Sequence, residues 1–102
     1  MQELTIHLNN QIIKRVPITT KTLIIGRDKH CDIILRDKTV SKRHAMILSG
    51  HNKCYIEDMG STNTTQVNYQ EIHQHKLEHN DIIIIGRFQL VFSDDMHLRT
   101  SQ

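Results

Sequence analysis

A chain of 102 residues, 37% apolar and 24% charged, can bury one hydrophobic core but not two. Its formal net charge of +2 is too small to argue for nucleic acid by itself. Nowhere does it reach the roughly 18 consecutive apolar residues of a membrane span, and Met1 to Thr5 lack the basic start and apolar run of a secretory leader, so the cytoplasm is the expected location. Cys31 and Cys54 have no Cys-x-x-Cys spacing and are expected to be free thiols in a reducing compartment.

Isoleucine, valine and threonine dominate, and β-branched side chains fit a pleated surface better than a helix. No stretch sustains a helical apolar period, whereas short strand-like segments recur between turn residues. Leu4, Ile6 and Leu8 alternate at period two, Asn9-Asn10 turns the chain, and Ile12 to Ile18 returns. Leu23 to Ile25 follows and ends at Gly26, and Ile33 to Leu35 is a short strand. In His44 to Leu48 the alternation puts Ala45 and Ile47 on one face. Ser49 to Asn52 reads as a hairpin turn into Cys54 to Ile56, and Asn68-Tyr69 as a tight turn between Gln66-Val67 and Glu71-Ile72. Ile82 to Ile85 and Phe88 to Phe92 form a last hairpin around Gly86. Many short strands at regular spacing predict an all-β, two-sheet sandwich of mostly antiparallel strands, with its loops clustered at one end. The expected domain covers residues 1–93, and the polar residues 94–102 are expected to form a tail. The whole reads as one domain, compatible with a module of a larger protein.

Charge is distributed unevenly. Between positions 27 and 43, Arg27, Lys29, Arg36, Lys38, Lys42 and Arg43 face only Asp28, Asp32 and Asp37, a local surplus suited to a small anion. Three loops rich in donors stand out: Gly26-Arg27-Asp28, Val40 to Ala45, and Gly60 to Thr65. A phosphorylated threonine carries a charge of about −1.5 to −2 and three strong acceptor oxygens. Arginine meets such a group with a planar fork of donors, hydroxyls add short donors without charge, and an asparagine can both donate to and accept from a peptide backbone.

The sequence resembles the forkhead-associated domain. The matching residues are Leu23-Ile24-Ile25-Gly26-Arg27, Asp32 to Leu35, Val40-Ser41-Lys42-Arg43-His44-Ala45, Ile56 to Asn63, Val67-Asn68, and Leu77 to Gly86. They cover nearly the whole chain and stand in the family's order. The resemblance implies a sandwich of the SMAD/FHA kind whose loops bind phosphothreonine peptides of a partner protein in signalling or assembly. It implies phosphate contacts from Arg27 and Ser41, a further phosphate or peptide contact from Lys42, a phosphate or threonine-pocket contact from Thr62, and a hold on the peptide backbone by Asn63. It also implies that His44 braces the loops and that Gly26 lets the chain turn beside Arg27; Gly60 is expected to be a backbone device. Thr39, Arg43 and Gln66 are candidate specificity residues.

Three positions depart from the family pattern. Thr64 stands where glycine usually follows the asparagine, and a β-branched residue disfavours positive φ. The loop is therefore expected either to keep φ negative there or to displace Asn63. Tyr69 replaces the glycine of an Asn-Gly hairpin, weakening that signal, while Asn80 replaces a glycine at little cost. Simpler readings stand beside these. Arg27 could pair with Asp28 or Asp32, Ser41, Thr62 and Asn63 could serve only their turns, and the chain could be a phosphate-independent scaffold on the same fold. His73, His75 and His79 lack the carboxylates or cysteines of a complete metal site and read as solvated loop histidines. No nucleophile–base pair is visible. No catalytic residue, cofactor, metal, nucleic acid or membrane partner is expected.

Overall fold

The computed structural model describes residues 1–94. In chain order their strands are β1 (Gln2–Leu8), β2 (Gln11–Pro17), β3 (Thr22–Gly26), β4 (Ile33–Ile34), β5 (Ala45–Gly50) and β6 (Lys53–Asp58). They continue with β7 (Thr65–Val67), β8 (Gln70–Ile72), β9 (Gln74–Lys76), β10 (Ile82–Ile85) and β11 (Phe88–Asp94). Six of them form one sheet in the order β2-β1-β11-β10-β7-β8, and five form the other in the order β4-β3-β5-β6-β9. Every pairing is antiparallel except β3 with β4. The two-sheet sandwich expected from the sequence is the fold observed.

Period-two alternation decides which side chains meet between the sheets. Leu4 and Ile6 of β1, Ile83 and Ile85 of β10, and Phe88, Leu90 and Phe92 of β11 point inward from the first sheet. Leu23 and Ile25 of β3, Ala45 and Ile47 of β5, and Cys54 and Ile56 of β6 answer from the second. Each Leu, Ile or Phe buried in this way contributes roughly 1.5–3 kcal/mol, so a modest apolar fraction is enough because it is concentrated on two faces.

Asn9-Asn10, His51-Asn52 and Asn68-Tyr69 all take positive φ at both positions. These are tight turns whose handedness matches the strand twist. Gly50 belongs to β5, so the second turn is shorter than the four residues read from sequence. Tyr69 holds φ 69° without a glycine. Its neighbour supplies the compensation: Asn68 N–H donates to the Ile82 carbonyl (2.8 Å), its Oδ1 accepts from Ile82 N–H (3.0 Å), and its Nδ2 donates to Asp81 (2.9 Å). Three bonds net about 1 kcal/mol each, which offsets a left-handed penalty of about 1–2 kcal/mol.

Two further expectations need correction. His75 lies in β9 rather than in a loop, with Nε2 3.3 Å from Asp81, and His79 Nδ1 accepts from Asp94 N–H at 2.9 Å. Asp94 closes β11 opposite Gln2; the rest of the expected tail, 95–102, lies outside the described residues. Cys31 and Cys54 are buried free thiols, and burial pushes both above the usual thiol range.

Candidate functional site

Gly26 ends β3 where another segment crosses it closely. A Cβ there would sit 2.8 Å from the Lys42 carbonyl carbon, nearer still to its oxygen, and 2.9 Å from Cys31 Sγ. Its φ is not in the left-handed region, so the glycine is needed for this approach and not, as expected, for a turn. The absent side chain lets the loop between β4 and β5 lie against the end of β3. Arg27 N–H donates to the Ser41 carbonyl (3.0 Å), Asp28 N–H to that of Lys42 (3.2 Å), and Cys31 Sγ to the same Lys42 oxygen (3.1 Å). The Arg27 side chain adds Nε–H to the Val40 carbonyl at 2.9 Å. It pairs with neither nearby aspartate, because Asp28 accepts from His30 N–H (2.9 Å) and Asp32 from Ile24 N–H (2.8 Å). One nitrogen thus anchors the guanidinium, and its terminal nitrogens make no hydrogen bond among the described residues.

His44 ties the second loop to the third. It is fully buried, its Nδ1 accepts from Ser41 N–H (3.0 Å), and its Nε2 lies 2.8 Å from the Thr64 carbonyl. Accepting at Nδ1 and donating at Nε2 fixes the Nε2–H tautomer. These two bonds join the second loop to the third. Ser41 Oγ accepts in turn from Thr62 N–H at 3.0 Å and keeps its own proton to donate outward.

Asp58 organises the third loop and escaped the sequence reading as a site residue. Its two oxygens accept from Gly60 N–H (3.0 Å), Ser61 N–H (3.1 Å), Ser61 Oγ (2.5 Å) and Thr65 Oγ1 (2.7 Å). The signal was legible as an aspartate followed two and three residues later by Gly60 and Ser61, the spacing of side-chain-to-backbone turns. Gly60 at φ 76° completes the turn. Partial burial raises the Asp58 carboxyl, but these donated bonds outweigh it and hold the group below its ordinary value. A depressed folded-state pKa contributes stability above the unfolded value of about 4 that disappears as pH falls through the folded one. Thermal unfolding followed from pH 7 to pH 2.5 should therefore decline less steeply below about pH 4 in Asp58→Asn than in the wild type; equal slopes would remove Asp58 from this role.

Thr64 does not keep φ negative. It takes φ 66°, and Asn63 lines the groove with Nδ2 donating to the Thr39 carbonyl at 3.0 Å. The bond from buried His44 to the Thr64 carbonyl holds the unfavourable conformation, which costs about 1–2 kcal/mol in a non-glycine residue. Thr64→Gly should raise stability by about 0.5–1 kcal/mol, the strain relieved less the extra freedom of an unfolded glycine. Urea unfolding at unchanged m-value reads this; a lower midpoint would mean that threonine contacts outweigh the strain.

Arg27, Lys38, Thr39, Val40, Ser41, Lys42, Thr62 and Asn63 line one groove of about 320 Å³. All five residues expected to contact a phosphopeptide are in it, joined by Lys38, which was counted only within the basic surplus. Thr39 and Asn63 continue into a second cavity of about 360 Å³ with Thr64, Gln66, Ile84, Gly86 and Arg87. Of the three candidate specificity residues, Thr39 borders both cavities and Gln66 the second. Arg43 lies apart, with Asp28, His30 and Cys31. Among the described residues no three His, Cys, Asp or Glu side chains gather where a metal could bind, and no helix is long and apolar enough to cross a membrane.

Known proteins resemble the chain in sequence and in fold. The glycogen accumulation regulator GarA of Mycobacterium tuberculosis is 42% identical over 67 residues, 66% of this chain and 41% of the relative, so the chain spans about two fifths of that protein's length. The FHA domain of the CT664 protein from Chlamydia trachomatis superposes with a TM-score of 0.85 at 31% identity, covering 91% of this chain and 96% of that one. Mycobacterium tuberculosis EmbR, solved in complex with a low-affinity phosphopeptide, superposes with a TM-score of 0.80 at 26% identity, over 89% of this chain and 24% of that one. The FHA domain family model matches residues 23–86, which include every loop of the groove, from Arg27 through Ser41 and His44 to Asn63. By that match and by its fold, the chain belongs to the FHA domain family.

Proposed function

We propose that this domain is a non-catalytic module that binds phosphothreonine-containing segments of a partner protein, with Arg27, Ser41, Lys42, Thr62 and Asn63 as its contacts. The observation that carries the reading is the groove itself, where a guanidinium with free terminal nitrogens and a hydroxyl with a free proton face one opening. Both are held before any ligand arrives, Arg27 by the Val40 carbonyl and Ser41 by His44 and Thr62. Such preorganisation lowers the entropic cost of binding. Asn63 uses one amide proton on Thr39 and keeps its carbonyl oxygen and second proton for a peptide backbone. The EmbR complex with a phosphopeptide supports the same reading.

The phosphate-independent scaffold rested on Thr64 disrupting the third loop. Asn63, bonded across to Thr39 and lining the groove, favours the phosphate-dependent reading over it. A cytoplasmic site of action fits two buried free thiols.

Two or three charge-assisted hydrogen bonds at roughly 1.5–3 kcal/mol each support micromolar affinity, about −8 kcal/mol. Titration of a phosphothreonine peptide library, its unphosphorylated counterparts and phosphoserine analogues tests the proposal. We expect loss of the phosphate to weaken binding by at least about 100-fold, and by more than the loss of any one contact. Loss of the γ-methyl should weaken it by at least about 4-fold, since one buried methyl is worth about 0.8 kcal/mol. No phosphate dependence across a broad library would sink the reading.

A further inference from the structure

We infer that the partner segment carries further anionic groups on one flank of its phosphothreonine, and that Arg36 and Lys38 hold them. The inference rests on the phosphothreonine reading and specifies its ligand. A cavity of about 500 Å³ lined by Arg27, Arg36, Asp37 and Lys38 adjoins the phosphate groove, sharing Arg27 and Lys38 with it. Arg36 and Lys38 are exposed, and neither forms an ion pair among the described residues.

The acids that could neutralise them are engaged elsewhere. Asp37, between the two cations, accepts from Thr39 N–H (3.0 Å), from the Thr39 hydroxyl, and from Arg87 Nη1 (3.2 Å). Asp28 and Asp32 cap the backbone at His30 and Ile24. Three cations and one carboxylate line this cavity, and that carboxylate is ion-paired with Arg87, so a positive surplus remains where it borders the groove. A phosphate charge of about −2 is already matched by Arg27 and Lys42 in the groove, so Arg36 and Lys38 remain available to a second anion.

The other end of the groove differs. Its cavity reaches Ile84, Gly86 and Arg87, and Arg87 is already paired with Asp37. The preference should thus be one-sided. Acidic peptide fits better than single-stranded nucleic acid, because no aromatic residue lines either the groove or this cavity to stack a base. Both phenylalanines are buried in the core.

The test uses the full chain and peptides sharing one phosphothreonine core. Two glutamates, two glutamines or two phosphoserines are placed before or after it, and each peptide is titrated at about 50 and about 300 mM salt. On one flank, glutamate should bind about 5-fold more tightly than glutamine at low salt, narrowing to about 2-fold at high salt, as exposed ion pairs are modest and screened. In Arg36→Gln, which lies outside the phosphate groove, this advantage should shrink while phosphothreonine dependence persists, and in Arg36→Gln/Lys38→Gln it should vanish. Carboxylates matching phosphoserines would assign the site to an acidic partner, and a larger gain from phosphoserine would assign it to a multiply phosphorylated one; either supports the inference. Equal binding of glutamate and glutamine peptides, or an advantage that survives the double substitution, would overturn it and leave phosphothreonine binding standing. No phosphate-dependent binding at all would overturn both. Equally tight binding of single-stranded DNA through Arg36 and Lys38 would also overturn it.

Discussion

Arg27→Ala should weaken phosphothreonine-peptide binding by about 100-fold or more while leaving the fold intact. The terminal guanidinium nitrogens can give a phosphate two charge-assisted bonds, and two such bonds at roughly 1.5–3 kcal/mol each amount to at least about 3 kcal/mol, or two decades of affinity. The stability cost is far smaller. Arg27 is exposed, and its one side-chain bond within the fold runs from Nε to the Val40 carbonyl, worth about 1 kcal/mol at most. Arg27→Lys separates charge from geometry. It keeps the cation but loses both the planar fork and the Nε anchor, so it should recover only part of the affinity, about tenfold below the wild type. Isothermal titration with one phosphopeptide, alongside thermal melts of each variant, reads both effects. Phosphate-dependent affinity within about 3-fold of the wild type in Arg27→Ala would remove this residue from the phosphate site.

His44→Ala carries the second large effect, with the opposite balance. The imidazole is fully buried and serves two backbone groups that have no substitute, Ser41 N–H and the Thr64 carbonyl. Leaving a buried polar group unsatisfied costs about 1–3 kcal/mol, so two of them with the cavity left by the ring should cost about 3–5 kcal/mol. That is a large part of the roughly 5–15 kcal/mol that stabilises a domain of this kind. Binding should fall as well, because Ser41 and the Thr62–Thr64 segment lose the brace that joins them. His44→Asn discriminates bonding from volume. Its Oδ1 can accept from Ser41 N–H in place of Nδ1, whereas its shorter amide falls short of Thr64, so roughly one bond's worth of stability should return. Wild-type stability in His44→Ala would show that water or loop rearrangement satisfies both groups.

Much of this was legible in the residues themselves. The strand pattern exposed the two sheets because alternation of Leu, Ile and Phe with polar residues is a direct record of which face meets the core. Arg27, Ser41, Thr62 and Asn63 could be named because donor-rich residues recur in the family's order between those strands. Asp58 was not named as part of the site: its spacing to Gly60 and Ser61 marks a local turn, but the Thr65 hydroxyl seven residues on is brought to it only by the fold. Gly26 was given the wrong reason: a glycine's sequence neighbours suggest a turn, whereas the Lys42 carbonyl that excludes a side chain lies 16 residues away. Thr64 does not keep the negative φ that its β-branched side chain favours, since the bond that sustains its conformation comes from His44 across the loops.

By itself the sequence determined the all-β class, most strand positions (β9 excepted) and the donors offered by three loops, since local alternation, turn chemistry and residue type suffice for these. Tertiary structure alone decided which donors remain free for a ligand. Arg27 keeps its terminal nitrogens because Val40 takes only Nε and the nearby aspartates cap backbone elsewhere. Arg36 and Lys38 form no ion pair among the described residues because Asp37, the carboxylate beside them, pairs with Arg87, while Arg43, equally basic, faces a different cavity. The physical reason is common to all of them. A hydrogen bond or an ion pair is settled by distances of about 3 Å between groups far apart in the chain, and one-dimensional order carries no record of those distances.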